Sequence, residues 1–504
     1  MKSSRKIPAT MVTQHPDHAN APYWHDQPFI STQEETYECY LSFSELGATE
    51  YKWDWEGKLV DEAVVERIMS EYYDYFKKNP IGKEKFITFR LPNPKVETEF
   101  RLGRAFMGIL AASGLARKLE MEKNPLFEVI LPMTESAGEM MAVQEAFREV
   151  AAIKHPLLKR ENGDIEHIEL IPLFEDIHTI ANSKAILEQY IAMHKSRFHQ
   201  EPEYMRPYVA RSDPALNAGI VPTVLAIKLA LSGYRTLSEE SGIELYPIIG
   251  AAALPFRGGI SPRSIDAFMD EYKGIRTTTI QSAFRYDFSK EEAIGAIQKL
   301  ERELSKNNAV LIPKREEQQI REIMSLFESF YKPTIEQIAP VINAIAAFIP
   351  KRRERVQHVG LFGYSRGVGS VKLPRAISFT GALYSLGVPP ELIGTGRGLK
   401  MLKEQGSLEL LERYYINIRS DLINAYSFLN KAVLEQLSRE NSGFAGILED
   451  VKEIERYIGA EALSLTSDHK EHQELSYSIF RLLEQGKDLK PSIEKSAHLR
   501  HSMG

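Results

Sequence analysis

The chain has 504 residues and a net charge of −6, with 26% charged and 43% hydrophobic residues, as in ordinary globular proteins. That weak negative balance gives no general attraction to nucleic acid, and one cysteine, Cys39, excludes an intrachain disulfide framework or a cysteine-based zinc site. No run reads as long and apolar enough to span a membrane, and Met1-Lys-Ser-Ser-Arg-Lys6 lacks the apolar core of a signal peptide, so a cytoplasmic protein with no membrane or nucleic-acid partner is expected.

In chain order, the first notable segment is Met11-Val-Thr-Gln-His15-Pro16-Asp17-His18. Pro16 restricts His15 to an extended conformation and fixes its imidazole on a loop, where it can serve as a base or an electrostatic stabiliser. An ordinary loop histidine is the bland alternative, and His15, His18 and His25 lack a convincing ligand spacing. Strands are predicted at 50–55, 86–90, 128–133, 168–175, 207–212, 245–252, 277–283 and 356–364. Helical patterns lie between most of them, at 61–78, 95–118, 138–153 and 180–196. The aromatic stripe Glu71-Tyr-Tyr-Asp-Tyr-Phe76 reads as helix packing. Repeated β-then-α units predict a parallel sheet with right-handed crossovers, and about eight strands favour an α/β fold closed as a TIM-like barrel with many extra helices. An open doubly wound sheet is disfavoured, because no Gly-x-Gly-x-x-Gly follows the first strand and no Walker loop occurs. Beyond Lys314 the pattern is almost wholly helical apart from a Gly-rich passage at 359–369. Residues 1–504 are expected to form one elaborated barrel domain, with roughly 315–504 as a helical part packed upon it. The basic cluster Lys351-Arg-Arg-Glu-Arg355 reads as a solvated helix end or a subunit contact.

Two segments carry the chemistry. Ile168-Glu-Leu-Ile-Pro-Leu-Phe-Glu-Asp-Ile177 is an apolar run that ends in Glu175 and Asp176, and Arg206-Pro-Tyr-Val-Ala-Arg-Ser-Asp-Pro214 delivers Asp213 at its end, with Pro214 expected to stop the strand. Carboxylates such as Glu175 and Asp213 at the ends of consecutive parallel strands can share one hard divalent cation, which prefers oxygen ligands and keeps waters for a substrate. Arginines also follow strands: Arg90, Arg257 in Phe256-Arg-Gly-Gly259, Arg285, Arg366 and Arg375. Singly, each reads as a surface or salt-bridge residue. Gathered at one barrel mouth beside two acids, they describe a site for a small polyanion, since guanidinium forks hold carboxylate and phosphate at two points.

These motifs, taken together, resemble those of phosphoenolpyruvate carboxylase, specifically its short archaeal-type branch. The marks are Thr13-Gln-His-Pro-Asp17, Pro172-Leu-Phe-Glu175, Ala210-Arg-Ser-Asp-Pro-Ala-Leu-Asn-Ala-Gly219, Phe256-Arg-Gly-Gly259 and Leu373-Pro-Arg-Ala-Ile377. The resemblance implies an eight-stranded α/β barrel, usually a homotetramer. It also implies conversion of phosphoenolpyruvate and bicarbonate to oxaloacetate and phosphate with Mg2+ or Mn2+. It puts Glu175 and Asp213 on the metal, His15 on the carboxyphosphate intermediate, and Arg90, Arg257, Arg366 and Arg375 among the active-site arginines. Departures from the longer branch are also visible. Leu216 and Asn217 stand where that branch has lysine and aspartate, and one Arg-Gly-Gly replaces its doubled loop, leaving Arg276 or Arg285 to supply the second arginine's function, with Arg285 expected to bind substrate. Arg500-His-Ser-Met-Gly504 is only loosely similar to the family's terminal Asn-Thr-Gly, which leaves inhibition by aspartate or malate open. The runner-up functions are another metal-dependent barrel lyase acting on phosphoenolpyruvate or pyruvate enolates, and a catalytically dead assembly protein.

Overall fold

The computed structural model describes residues 5–97, 100–153, 165–356, 366–369, 371–460 and 463–504. Short segments rich in β-branched and aromatic residues form its strands. These are β1 (Thr10–Val12), β2 (Glu50–Asp54), β3 (Phe86–Arg90), β4 (Glu128–Leu131), β5 (Glu169–Phe174), β6 (Tyr204–Met205), β7 (Tyr208–Ala210), β8 (Glu244–Leu245), β9 (Ile248–Gly250), β10 (Thr277–Ile280), β11 (Arg366–Val368) and β12 (Val371–Leu373). Eight of them close a parallel barrel in the order β1-β10-β9-β7-β5-β4-β3-β2, with helices in the crossovers. The pairs β6–β8 and β11–β12 lie outside it. Seven of these barrel strands fall where the sequence predicts them. The remaining one is β1, three residues too short to show an alternation, whereas of the expected strand at 356–364 Val356 is in no strand and the rest lies outside the described residues.

Alternation sorts each strand's side chains between two environments. On β2, Tyr51 and Trp53 join the large core between barrel and helices, while Glu50, Lys52 and Asp54 share the other face, toward the barrel interior. That interior has an apolar layer of Met11, Ile130, Ile171, Leu173, Tyr208 and Ile248, contributed by five strands. At the amino ends of the strands an ion cluster plugs the barrel. Arg206 donates to Glu50 at 2.7 Å and to Glu128 at 2.8 Å, all three side chains being buried. A buried guanidinium and its carboxylates tolerate such a place because each supplies the other's countercharge and hydrogen bonds.

Beyond Lys314 the described residues are mostly helical, beginning with the 33-residue helix Lys314–Ala346. The helix Ile220–Ser241 corrects one expectation: it is long and apolar enough to cross a bilayer, yet 78% of its apolar window is buried, and it packs on the helices Ile177–Phe198 and Lys314–Ala346. The predicted helix at 61–78 is broken at Tyr72 into Val64–Glu71 and Tyr73–Lys78. Of the two places expected for the basic cluster, a solvated helix end or a subunit contact, the first does not hold for Arg352 and Arg353, which are buried. Arg353 is buried against Glu38 at 2.8 Å, Arg352 donates to the carbonyls of His18 and Ala19, and Arg355 donates to Glu35 and to the carbonyl of Gln14. It braces the loop that carries His15.

Candidate active site

Glu175 directly follows β5, and Asp213 lies in the first turn of the helix Ser212–Ala218 after β7. Both line one cavity of about 70 Å3 at the carboxyl ends of the barrel strands. One detail is corrected. The strand ends at Ala210, and Pro214 sits within the first helical turn, where its missing N–H is tolerated, rather than ending a longer strand.

His15, Arg90 and Arg375 line the same cavity. Arg90 ends β3 and meets Asp54 and Glu56, each at 3.4 Å; Arg375, just ahead of the helix Ala376–Ser385, reaches Glu56 at 3.0 Å. Nδ1 of His15 is hydrogen-bonded to Thr13 Oγ1 at 2.7 Å. Burial first, then the charges of Lys52 and Arg257, hold the pKa of His15 well below its ordinary 6.5, against an opposing pull from Asp54. These surroundings favour the neutral imidazole over the imidazolium. Burial pushes Asp54 the other way, but Arg90 and Lys52 bring it well below the usual carboxylate range, so it remains an anion.

Arg257 lies behind the cavity wall. It donates to Gln281 at 2.7 Å and to Ser212 at 3.1 Å, both of which line the cavity, and it also contacts Asp17 at 3.4 Å and the carbonyl oxygen of Gly504. Burial lowers its pKa, while Asp17 and Asp213 pull it back up, which puts Arg257 within electrostatic reach of the second acid. Its turn is held by Arg211, whose guanidinium donates to the carbonyls of Pro255 and Phe256. Gly258 is required there: its φ is +123°, and an added Cβ would lie 2.5 Å from that of Ala251.

Arg285 is placed elsewhere. It pairs with Glu38 at 3.0 Å and donates to the Thr13 carbonyl and the Tyr286 hydroxyl, a buried brace for the His15 loop rather than a cavity wall. Arg276 donates to Asn307 and does not line the cavity either. The backbone of Arg366 opposes Leu373 in the β11–β12 hairpin; its side chain lies outside the described residues, as does most of the Gly-rich passage before it. Lys52, Asp54, Glu56, Arg211 and Gln281 line the cavity without having been singled out from the sequence. For Lys52 and Asp54 the alternation of β2 marks a shared polar face, and closure of the sheet turns that face inward.

Among the described residues no group of three or more His, Cys, Asp or Glu is placed to hold an ion. Two carboxylates at one mouth still suit Mg2+ or Mn2+, because a hard cation of this size commonly takes one or two carboxylates and completes its shell with water and substrate oxygens.

The profile of the family described as "Phosphoenolpyruvate carboxylase" matches residues 7–504. A phosphoenolpyruvate carboxylase of Leuconostoc mesenteroides is 41% identical, with 100% of each chain covered. Proteins of the same name from Metallosphaera sedula and Pyrococcus abyssi are each 38% identical, covering 99% and 90% of this chain and 100% and 94% of their own. Similarity of this degree over nearly the whole length leads to one assignment: the protein belongs to the phosphoenolpyruvate carboxylase family.

Proposed function

We propose that the chain joins phosphoenolpyruvate and bicarbonate into oxaloacetate and phosphate through carboxyphosphate and the enolate of pyruvate. The observation that carries this reading is that Glu175, Asp213, His15, Arg90 and Arg375, from five separate parts of the chain, line one cavity. Glu175 and Asp213 would hold Mg2+ or Mn2+, which when bound supplies positive charge for the phosphoryl and enolate oxygens. Arg90 and Arg375 would hold the transferring phosphoryl group, a step catalysed mainly by positioning and charge neutralisation. A bicarbonate oxygen attacks phosphorus, and the bond from phosphorus to the enol oxygen breaks. His15, kept neutral by its surroundings, then takes the carboxyl proton of carboxyphosphate. The C–O bond to phosphate cleaves, and CO2 is released beside the enolate, whose methylene carbon forms the new C–C bond. In the tautomer that gives Nδ1–H to the Thr13 hydroxyl, Nε2 would present the lone pair that receives this proton. Assembly as a homotetramer belongs to the same reading.

Arg257 would shape the wall rather than merely add charge. Arg257→Lys is expected to lower kcat/KM for phosphoenolpyruvate by about 100-fold, because one ammonium cannot span Ser212, Gln281, Asp17 and Gly504 together and the wall shifts. Unchanged steady-state kinetics would place Arg257 outside the reaction. The reaction class is tested by measuring phosphate release from phosphoenolpyruvate with and without bicarbonate. Strict dependence, with equal oxaloacetate formed, supports carboxylation. Bicarbonate-independent release would point to a different lyase.

A further inference from the structure

The cavity holds a cation that the strand-end pattern did not reveal. Lys52 lies within β2 rather than at its end, is only 3% exposed, and lines the cavity together with Tyr208 and Gly250 of neighbouring strands. Its position on the inward face is fixed by the alternation Glu50, Lys52, Asp54. Two residues along a strand correspond to roughly 6.6 Å, so the ammonium stem starts about that far below the level of Asp54 and above the Glu50–Arg206 plug. Arg375 lies at the opposite extreme, its side chain 46% exposed at the rim.

We infer that Lys52 forms the cationic floor of the pocket and that its Nζ contacts an anionic oxygen of bound phosphoenolpyruvate. This rests on the carboxylase reading and deepens it. Serving as the countercharge of Asp54, which Lys52 meets at 3.2 Å, does not by itself account for a lysine here. Asp54 already has Arg90 at 3.4 Å and the backbone N–H of Glu56 at 2.9 Å, and burying a further ammonium carries a desolvation penalty that one shared carboxylate repays poorly. An ammonium also has three donors to direct, and this one opens onto a cavity whose other walls suit a polyanion. Its charge is felt at His15, where after burial it is the strongest influence depressing the imidazole, so floor and base lie within electrostatic reach of each other. A substrate with a phosphate at one end and a carboxylate at the other needs positive charge at both depths of the pocket. Arg375 at the rim and Arg90, level with Asp54, provide one, and Lys52 provides the other.

The test uses the full chain and phosphoglycolate, an analogue that carries both anions but cannot be carboxylated. Lys52→Met keeps the length of the side chain and removes its charge. It is expected to weaken phosphoglycolate binding about 30-fold or more and to raise KM for phosphoenolpyruvate correspondingly, as for loss of one partner of a buried charge pair. Lys52→Arg, which restores the charge with a bulkier head, is expected to recover part of the binding. Near-wild-type binding in Lys52→Met overturns the inference. Should that variant fail to fold, Lys52→Gln, which keeps a polar head without the charge, is measured in its place: a comparable loss of phosphoglycolate binding supports the contact, and near-wild-type binding refutes it. A wild-type protein that made no oxaloacetate would refute the carboxylase reading, a result distinct from either outcome at Lys52.

Discussion

Asp213→Asn is expected to abolish oxaloacetate formation nearly completely, by about 10³-fold or more, while the protein stays folded. The amide is isosteric but lacks the charge that would attract a divalent cation, and charge stabilisation by such an ion is worth several kcal/mol at the transition state, each 1.36 kcal/mol being tenfold in rate. Folding should survive, because Asp213 stands in the first turn of a short helix and lines a cavity instead of filling a core. The check is kcat across a Mg2+ and Mn2+ titration, with thermal unfolding recorded alongside. Turnover at the wild-type level would remove Asp213 from the site, and a collapsed melting transition would show that it is structural.

The second large effect concerns the partition of product. His15→Asn keeps a polar group beside Thr13 but cannot take a proton. Phosphoryl transfer to bicarbonate should continue, whereas decarboxylation of carboxyphosphate beside the enolate should fail, leaving the enolate to be protonated. Phosphate release should therefore stay bicarbonate-dependent while pyruvate replaces oxaloacetate as the main product, with oxaloacetate per phosphate falling about 100-fold, within the usual worth of a positioned base. A normal oxaloacetate yield would show that His15 is not that base. The pH profile carries the same sign. Because burial and nearby cations depress the imidazole, it stays neutral well below pH 6.5, so wild-type activity should not fall with a midpoint near the ordinary histidine value.

How far such residues could be read in advance depends on where their partners lie. Glu175 and Asp213 stand out because each ends an apolar run, and a barrel sends all strand ends to one mouth. β1 was hidden, since three residues carry no periodicity and its membership comes from pairing with β2 and β10. Arg285 shows the limit of strand-end reasoning: it follows β10 as expected, but in the short helix Ser282–Tyr286 its side chain turns to Glu38, 247 positions earlier in the chain. Arg353 reads as part of a solvated helix end or a subunit contact for a related reason, its carboxylate partner being 315 positions away. Lys52 is not legible as a site residue, because a lysine inside a strand ordinarily marks a solvent face, and only closure of the sheet turns that face inward.

Oxygen transfer from labelled bicarbonate tests the central claim, activation of bicarbonate by phosphoryl transfer at this mouth, most directly. With 18O-bicarbonate and unlabelled phosphoenolpyruvate, each phosphate released should carry one 18O atom, left behind when the C–O bond of carboxyphosphate breaks. Phosphate without label, formed at the same rate as oxaloacetate, would mean that bicarbonate never receives the phosphoryl group and would contradict the account.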